Sequence, residues 1–194
     1  PPLTVSAVEH WLADAALDEA VEVRVVSTTG STNEDLLVDS RRGQPPAARL
    51  LATDEQTEGR GRQHRPWIAR PRSALLFSLA VPLPSLPAAL PAVTLACGAA
   101  LADHFVAQGA AVRLKWPNDL LLSGRKLAGV LCELAVDPGG KATLVIGVGV
   151  NGWLTDEDRV RIGQPAAALS EAVSSPLLAG QREAWIAALG AAAL

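Results

Sequence analysis

A chain of 194 residues suits one compact domain with a buried core. With 49% hydrophobic and 19% charged residues the composition is globular and excludes a disordered chain. A formal charge of −3 excludes a general attraction to nucleic acid, so any basic function has to be local. Cys97 and Cys132 sit in apolar segments without CxxC spacing and read as small core residues in a reducing, cytoplasmic setting. The apolar stretch 73–102 is interrupted by Pro82, Pro84, Pro87 and Pro91. Its uninterrupted runs fall short of the ~20 residues of a membrane span. No cationic segment followed by an apolar one marks secretion. The chain opens on Pro1-Pro2 and has no methionine, which reads as a trimmed chain.

In chain order, residues 5–20 place Val8, Trp11, Leu12 and Ala15 or Ala16 on one helical face. Residues 21–27 alternate and are β-branched, which predicts a strand. Ser31-Thr32-Asn33 then supplies an N-cap for a short helix. A short strand at 49–53 and a polar, glycine-bearing loop at 54–66 follow. Residues 74–81 read as a strand buried on both faces, and 88–108 as a long helix ending near Gly109. The second half holds four strand-like runs, 111–115, 120–122, 127–136 and 142–150. The turns Ser123-Gly124 and Asp137-Pro138-Gly139-Gly140 are hairpin chemistry, which implies antiparallel neighbours. From Asn151 onward the pattern is weakly helical. The expectation is an α/β (α+β) domain whose mixed, mainly antiparallel sheet carries helices packed on one face. A free edge of that sheet offers a route to a homodimer.

Four segments carry chemistry. At 59–67, GRGRQHRPW sets three arginines within six residues of a loop made pliable by glycine. Arginine forks match phosphate and carboxylate, Gln56 can hydrogen-bond a small polar ligand, and Trp67 can stack on a flat ring. A solvated surface loop is an equally open reading on composition alone. In KWPND at 115–119, Lys115 and Asp119 have the chemistry to position a triphosphate and Mg²⁺, although a plain turn explains Asn118-Asp119 as well. Lys126 leads into an apolar strand containing Gly129, a sign of close backbone approach. Residues 147–152 fit GxGxxG spacing, but no helix starts until about Asp156, which disfavours a dinucleotide-binding turn and an oxidoreductase.

Taken together and in order, Ser31-Thr32-Asn33, GRGRQHRPW, KWPND, KLAGVL at 126–131 and GVGVN at 147–151 resemble the biotin–protein ligase family, from about Val21 to Trp153. The resemblance implies a class II synthetase-like fold and a ligase that activates biotin with ATP and Mg²⁺ to biotinyl-5′-AMP. Biotin would then pass to a lysine of a biotin carboxyl carrier protein domain. It implies biotin contacts from Ser31, Thr32, Asn33, Gln56, Gly59, Arg60 and Gly129. The adenylate would be held by Arg60, Arg62, Arg65, Trp67, Lys115, Asn118, Lys126 and Asn151, with the metal at Asp119. Lys126, Arg62 and Lys115 would be catalytic. Residues 1–194 then read as one catalytic domain, without an N-terminal helix-turn-helix or a complete C-terminal β-barrel domain, and with no nucleic-acid or membrane partner. A lipoate-type ligase or transferase of the same fold and a non-catalytic biotin sensor are the alternatives.

Overall fold

The computed structural model describes residues 1–14, 21–87, 89–173 and 181–194. The β-branched run forms β1 (Val21–Thr29). It leads into α2 (Thr32–Arg42), preceded in the chain by α1 (Val5–Asp14). Ser31 caps α2 by accepting from the Glu34 amide; Glu34 and Asp35 in the first turn and Arg41 and Arg42 in the last match the helix dipole. This crossover lays β2 (Ala48–Gln56) parallel to β1. β3 (Ala74–Leu83) then turns back antiparallel to β2. α3 (Leu90–Ala107) begins with a proline in its first turn, and Gly109 follows it at φ +85°.

The second half is a meander of β4 (Val112–Lys115), β5 (Asp119–Leu122), β6 (Arg125–Val136) and β7 (Ala142–Asn151). Ser123 and Gly124 both take positive φ, 50° and 76°, as the tight hairpin turn requires. The seven strands form one sheet in the order β1-β2-β3-β7-β6-β5-β4, with β1–β2 the parallel pair and every other pair antiparallel. That is the mixed, mainly antiparallel sheet expected from the turns. The chain closes with α4 (Asp156–Ile162) and α5 (Arg182–Ala193).

One face of the sheet carries the main core, where α1, α3 and α5 pack over Leu50, Phe77, Leu79, Val130 and Ile146. Phe105 of α3 stacks on Trp185 of α5 with centroids 5.6 Å apart. In α1, Val8 and Leu12 are buried, but Trp11 is 40% exposed despite its place on the expected face. The expected continuation through Ala15 or Ala16 to residue 20 lies outside the described residues. α3 is long and apolar enough to cross a membrane by length and composition alone. Here Cys97, Leu101 and Phe105 bury one side of it against β4, β6 and α5.

The helices on one face are therefore joined by a fourth on the other. α2 sets Leu36 and Leu37 on Leu51, Ala80, Ala135 and Val145, a small second core. It covers only part of that face, and the uncovered remainder becomes the site.

α4 is pinned by a buried carboxylate. Asp158 completes a capping box with Thr155, and Arg70 Nε donates to both its oxygens at 2.8 and 2.9 Å. The Arg70 hydrogen bond, with further donors from Thr155, pulls the Asp158 carboxyl down to about 2 from an ordinary 3.8. A depressed carboxyl stabilises the fold fully above its unfolded value and loses that contribution as pH falls through the folded one. Asp158→Asn is thus expected to melt below wild type at neutral pH, with the gap closing as pH falls from 3.8 toward about 2. Thermal melts of both proteins across that window check it; a gap independent of pH would remove Asp158 from the linkage.

Candidate active site

Registered partners in a sheet share a face, so the pairing alone arranges the floor of the site. One row crosses five strands as Leu76, Gly149, Gly129, Asp119 and Lys115, and the next runs Leu51, Ser78, Gly147, Leu131. The three glycines leave this part of the sheet face without side chains of its own, which lets Asn33, Trp67 and Lys126 pack down onto it. The first turn of α2 walls one end, and the 115–119 turn with Lys126 walls the other. Residues 60–68 form a roof, and residues 162–164 with Ala166 close a side. The cleft measures about 760 Å³, within the range that takes a cofactor-sized ligand.

The end beneath α2 is polar and rigid. Thr32 N–H donates to Gln56 Oε1 at 2.8 Å, and the hydroxyls of Thr32 and Ser78 lie 2.7 Å apart. Ser78 Oγ donates to Asn33 Oδ1 at 2.7 Å. Asn33 Nδ2 donates to Glu133 Oε2 at 2.9 Å and to the Leu131 carbonyl at 3.3 Å. Ser78 spends its one proton on Asn33, so Thr32 Oγ1 shares its own between Ser78 and Gln56 Oε1, the latter at 3.0 Å, and the chain runs from Thr32 through Ser78 and Asn33 to Glu133. That leaves lone pairs on Thr32 Oγ1 for a ligand, while the Gln56 amide nitrogen lies against Gly59. Gly147 is required here because a Cβ on it would overlap Asn33 Oδ1.

The opposite end is cationic. Lys115 and Lys126 line the cavity there, Arg62 and Arg65 line it from the loop, Arg60 lines it beside the first turn of α2, and Asp119 is the one carboxylate among its lining residues. Lys126 Nζ sits 2.7 Å from Asp119 Oδ1 and 5.6 Å from the Trp67 ring centroid. Arg60 is clasped by Glu34 at 2.8 Å and Glu133 at 3.1 Å. Arg62, Arg65 and Lys115 are exposed and form no ion pair among the described residues. A chain of net charge −3 thus concentrates unneutralised positive charge at one end of one cavity.

Of the residues singled out from the sequence, Ser31, Thr32, Asn33, Gln56, Arg60, Arg62, Arg65, Trp67, Lys115, Asn118, Asp119, Lys126, Gly129 and Asn151 all line this cavity. Gly59 does not; it borders a separate cleft behind the loop, packed on Gln56 and the Trp67 carbonyl. Three amides have work inside the protein. Besides Asn33, Asn118 Nδ2 donates to the Val130 carbonyl, and Asn151 Nδ2 to the carbonyls of Lys126 and Ala167. Gly149 makes room for the Trp67 indole, whose Cε2 lies 2.8 Å from where a Cβ would stand, so the tryptophan and not a ligand occupies that spot. Trp67 Nε1 is buried without a partner. Sequence reasoning missed Ser78, whose signal was one hydroxyl in the apolar run LLFSLAV, and residues 162–166, which carried none.

The glycines of 147–152 lie inside and just beyond β7, between antiparallel strands, so they open no helix. The dinucleotide reading fails on that geometry.

Known proteins share both the sequence and this architecture. The biotin–[acetyl-CoA-carboxylase] ligase of Mycobacterium tuberculosis is 38% identical over 135 residues, 67% of this chain and 49% of that protein. The bifunctional ligase/repressor BirA of Escherichia coli is 36% identical over 151 residues, 77% of this chain and 46% of that protein. The chain spans about half the length of these curated relatives. Among solved structures, the biotin protein ligase from Aquifex aeolicus in complex with biotin and ATP superposes with a TM-score of 0.67 at 26% identity, over 88% of this chain and 68% of that one. The fold is the class II synthetase-like fold of these ligases. Residues 25–151, which contain the cavity floor and both its ends, match the biotin/lipoate A/B protein ligase family, and the chain belongs to that family.

Proposed function

We propose that the chain activates biotin with ATP to biotinyl-5′-AMP and transfers the biotinyl group to a carrier lysine. The observation that carries this reading is one cavity with a neutral hydrogen-bonding end and a cationic end joined by a glycine floor. The polar end suits the ureido head of biotin, which offers both donors and an acceptor, better than the dithiolane of lipoate. The cationic end speaks against a sensor that only binds. The two relatives and the solved structure named above support the same choice.

In the first step a biotin carboxylate oxygen attacks the α-phosphorus of ATP; the bond to the bridging oxygen breaks and pyrophosphate leaves. In the second, a carrier lysine amine attacks the anhydride carbonyl, AMP leaves, and the amine releases a proton. Two anions must meet in the first step, so preorganised cations supply the main effect. Lys126 holds the carboxylate and α-phosphate together, its ammonium released from Asp119 as the anions arrive. Arg62 and Arg65 cover the phosphates, and Lys115 holds the leaving pyrophosphate. Asn118 and Asn151 act on the adenylate by fixing β6 and the strand end that carries Lys126.

A lone carboxylate facing a phosphate site fits Mg²⁺, which takes one or two protein carboxylates and fills its shell with phosphate oxygens and water. Asp119 would hold it, and the ion would neutralise triphosphate charge. The reaction's ATP and the free thiols of Cys97 and Cys132 favour a cytoplasmic setting.

Biotin-dependent exchange of labelled pyrophosphate into ATP, with lipoate in parallel, tests the reading. Exchange with biotin alone is expected. Exchange with lipoate alone would transfer the chain to the other branch of its family, and none with either acid would remove the adenylation. Arg62→Ala is expected to speed loss of the bound adenylate by about 10-fold or more while changing biotin affinity by less than about 3-fold. Adenylate release in a chase experiment, beside a biotin titration, measures both; equal losses would end that division of labour.

A further inference from the structure

We propose that Glu133 is a positioning residue that couples occupation of the polar end of the cavity to the seating of the arginine loop. The inference rests on the biotin reading above. β6 contributes Leu131 and Ala135 to the same sheet face, and Glu133 pairs across to Val145, so apolar packing does not call for a carboxylate there. Its two oxygens are divided. Oε2 accepts from Asn33, the last member of the Thr32–Ser78–Asn33 chain at the ligand's head. Oε1 accepts from Arg60 Nη1 at 3.1 Å, and Arg60 is the root of the loop that carries Arg62 and Arg65. One carboxylate therefore ends the hydrogen-bond chain of one subsite and anchors the roof of the other.

The physical link is charge and direction. A ligand that donates to Thr32 Oγ1 polarises the hydroxyl it reaches, strengthening the bonds that Thr32 makes to Gln56 and Ser78 and, through Ser78, the bond to Asn33. The Asn33 amide is thereby held on Glu133 Oε2, which leaves Oε1 aimed at Arg60. A glutamine at 133 keeps the shape but presents an N–H₂ to one of two donors, so the two halves cannot both be served. Glu34, the other carboxylate on Arg60, touches no member of the chain and bonds only Arg60 and Arg41 through its side chain. It anchors the loop without communicating with the head.

The test is titration of the full chain with a non-hydrolysable ATP analogue, with and without saturating biotin, for wild type, Glu133→Gln and Glu34→Gln. Wild type is expected to bind the analogue at least about 10-fold tighter with biotin present, and Glu133→Gln less than about 3-fold tighter. Glu34→Gln is expected to weaken the analogue in both conditions and keep the wild-type ratio. A carboxylate that only stabilised the fold would lower both affinities together and leave the ratio intact. Should Glu133→Gln melt far below wild type, Glu133→Asp gives the same readout with charge retained, because its shorter arm reaches one donor and not both. A wild-type ratio near one, or a wild-type ratio preserved in the Glu133 variants, overturns the coupling. Absence of biotin binding in wild type overturns the reading of the site itself, so the two failures are distinct.

Discussion

Lys126→Ala is expected to lower biotin-dependent pyrophosphate exchange by about 10³-fold while leaving biotin binding measurable. Removing one preorganised donor to a developing charge costs on the order of 10²–10³ in rate, and a full cation between two reacting anions stands at the upper end of that range. The side chain is built for the role. It emerges at the start of β6, is about one-fifth exposed, and is steered by Asp119 at 2.7 Å and the Trp67 face at 5.6 Å. The polar end lies elsewhere in the cavity and shares no hydrogen bond with Lys126, so biotin's head keeps its partners. Exchange kinetics with a parallel binding titration measure the two effects. Near-normal exchange by the alanine variant would take Lys126 out of the chemistry.

Gly147→Ala is expected to weaken biotin binding by more than about 10-fold and to destabilise the fold by about 1–3 kcal/mol. The added methyl meets Asn33 Oδ1, and Asn33 cannot step aside. Its oxygen accepts from Ser78, and its nitrogen is held by Glu133 and the Leu131 carbonyl. Either Asn33 breaks those bonds, leaving buried polar groups without partners, or β7 shifts and the floor distorts. Gly43 offers the control: a Cβ there meets nothing within 4 Å and its φ of 176° is ordinary extended backbone. Calorimetric titration with biotin and thermal melts of both alanine variants decide it; a Gly147 variant as sound as the Gly43 one would refute the overlap.

Much of this protein was legible in one dimension. Strand and helix identity followed from period and turn residues, because a β-branched alternating run or a Ser-Gly hairpin turn is a local preference that the fold did not override. The arginines of 60–65, the lysines and the aspartate of 115–126, and Gln56 were marked by residue type as groups able to meet an anionic or small polar ligand, whereas Thr32 read only as part of a helix N-cap until the resemblance gave it a ligand. Their meeting in one cavity followed from the resemblance; from spacing alone each segment also read as a loop or a turn.

Tertiary structure decided the rest, for reasons of register and crowding. Which residues share a face with Gly149 depends on pairing across five strands, so the row from Leu76 to Lys115 has no linear signature. α2 settles on the face opposite α1, α3 and α5 because its crossover joins two parallel strands, a relation that neither strand's pattern encodes. The room left by Gly149 is filled by an indole, a contact that joins residues far apart in sequence. The amides of Asn33, Asn118 and Asn151 looked like ligand contacts, but buried carbonyls and carboxylates of neighbouring strands engage them first. Residue types thus determined what chemistry this chain can host. Only the packing of the sheet determined which of those polar groups remain free to perform it.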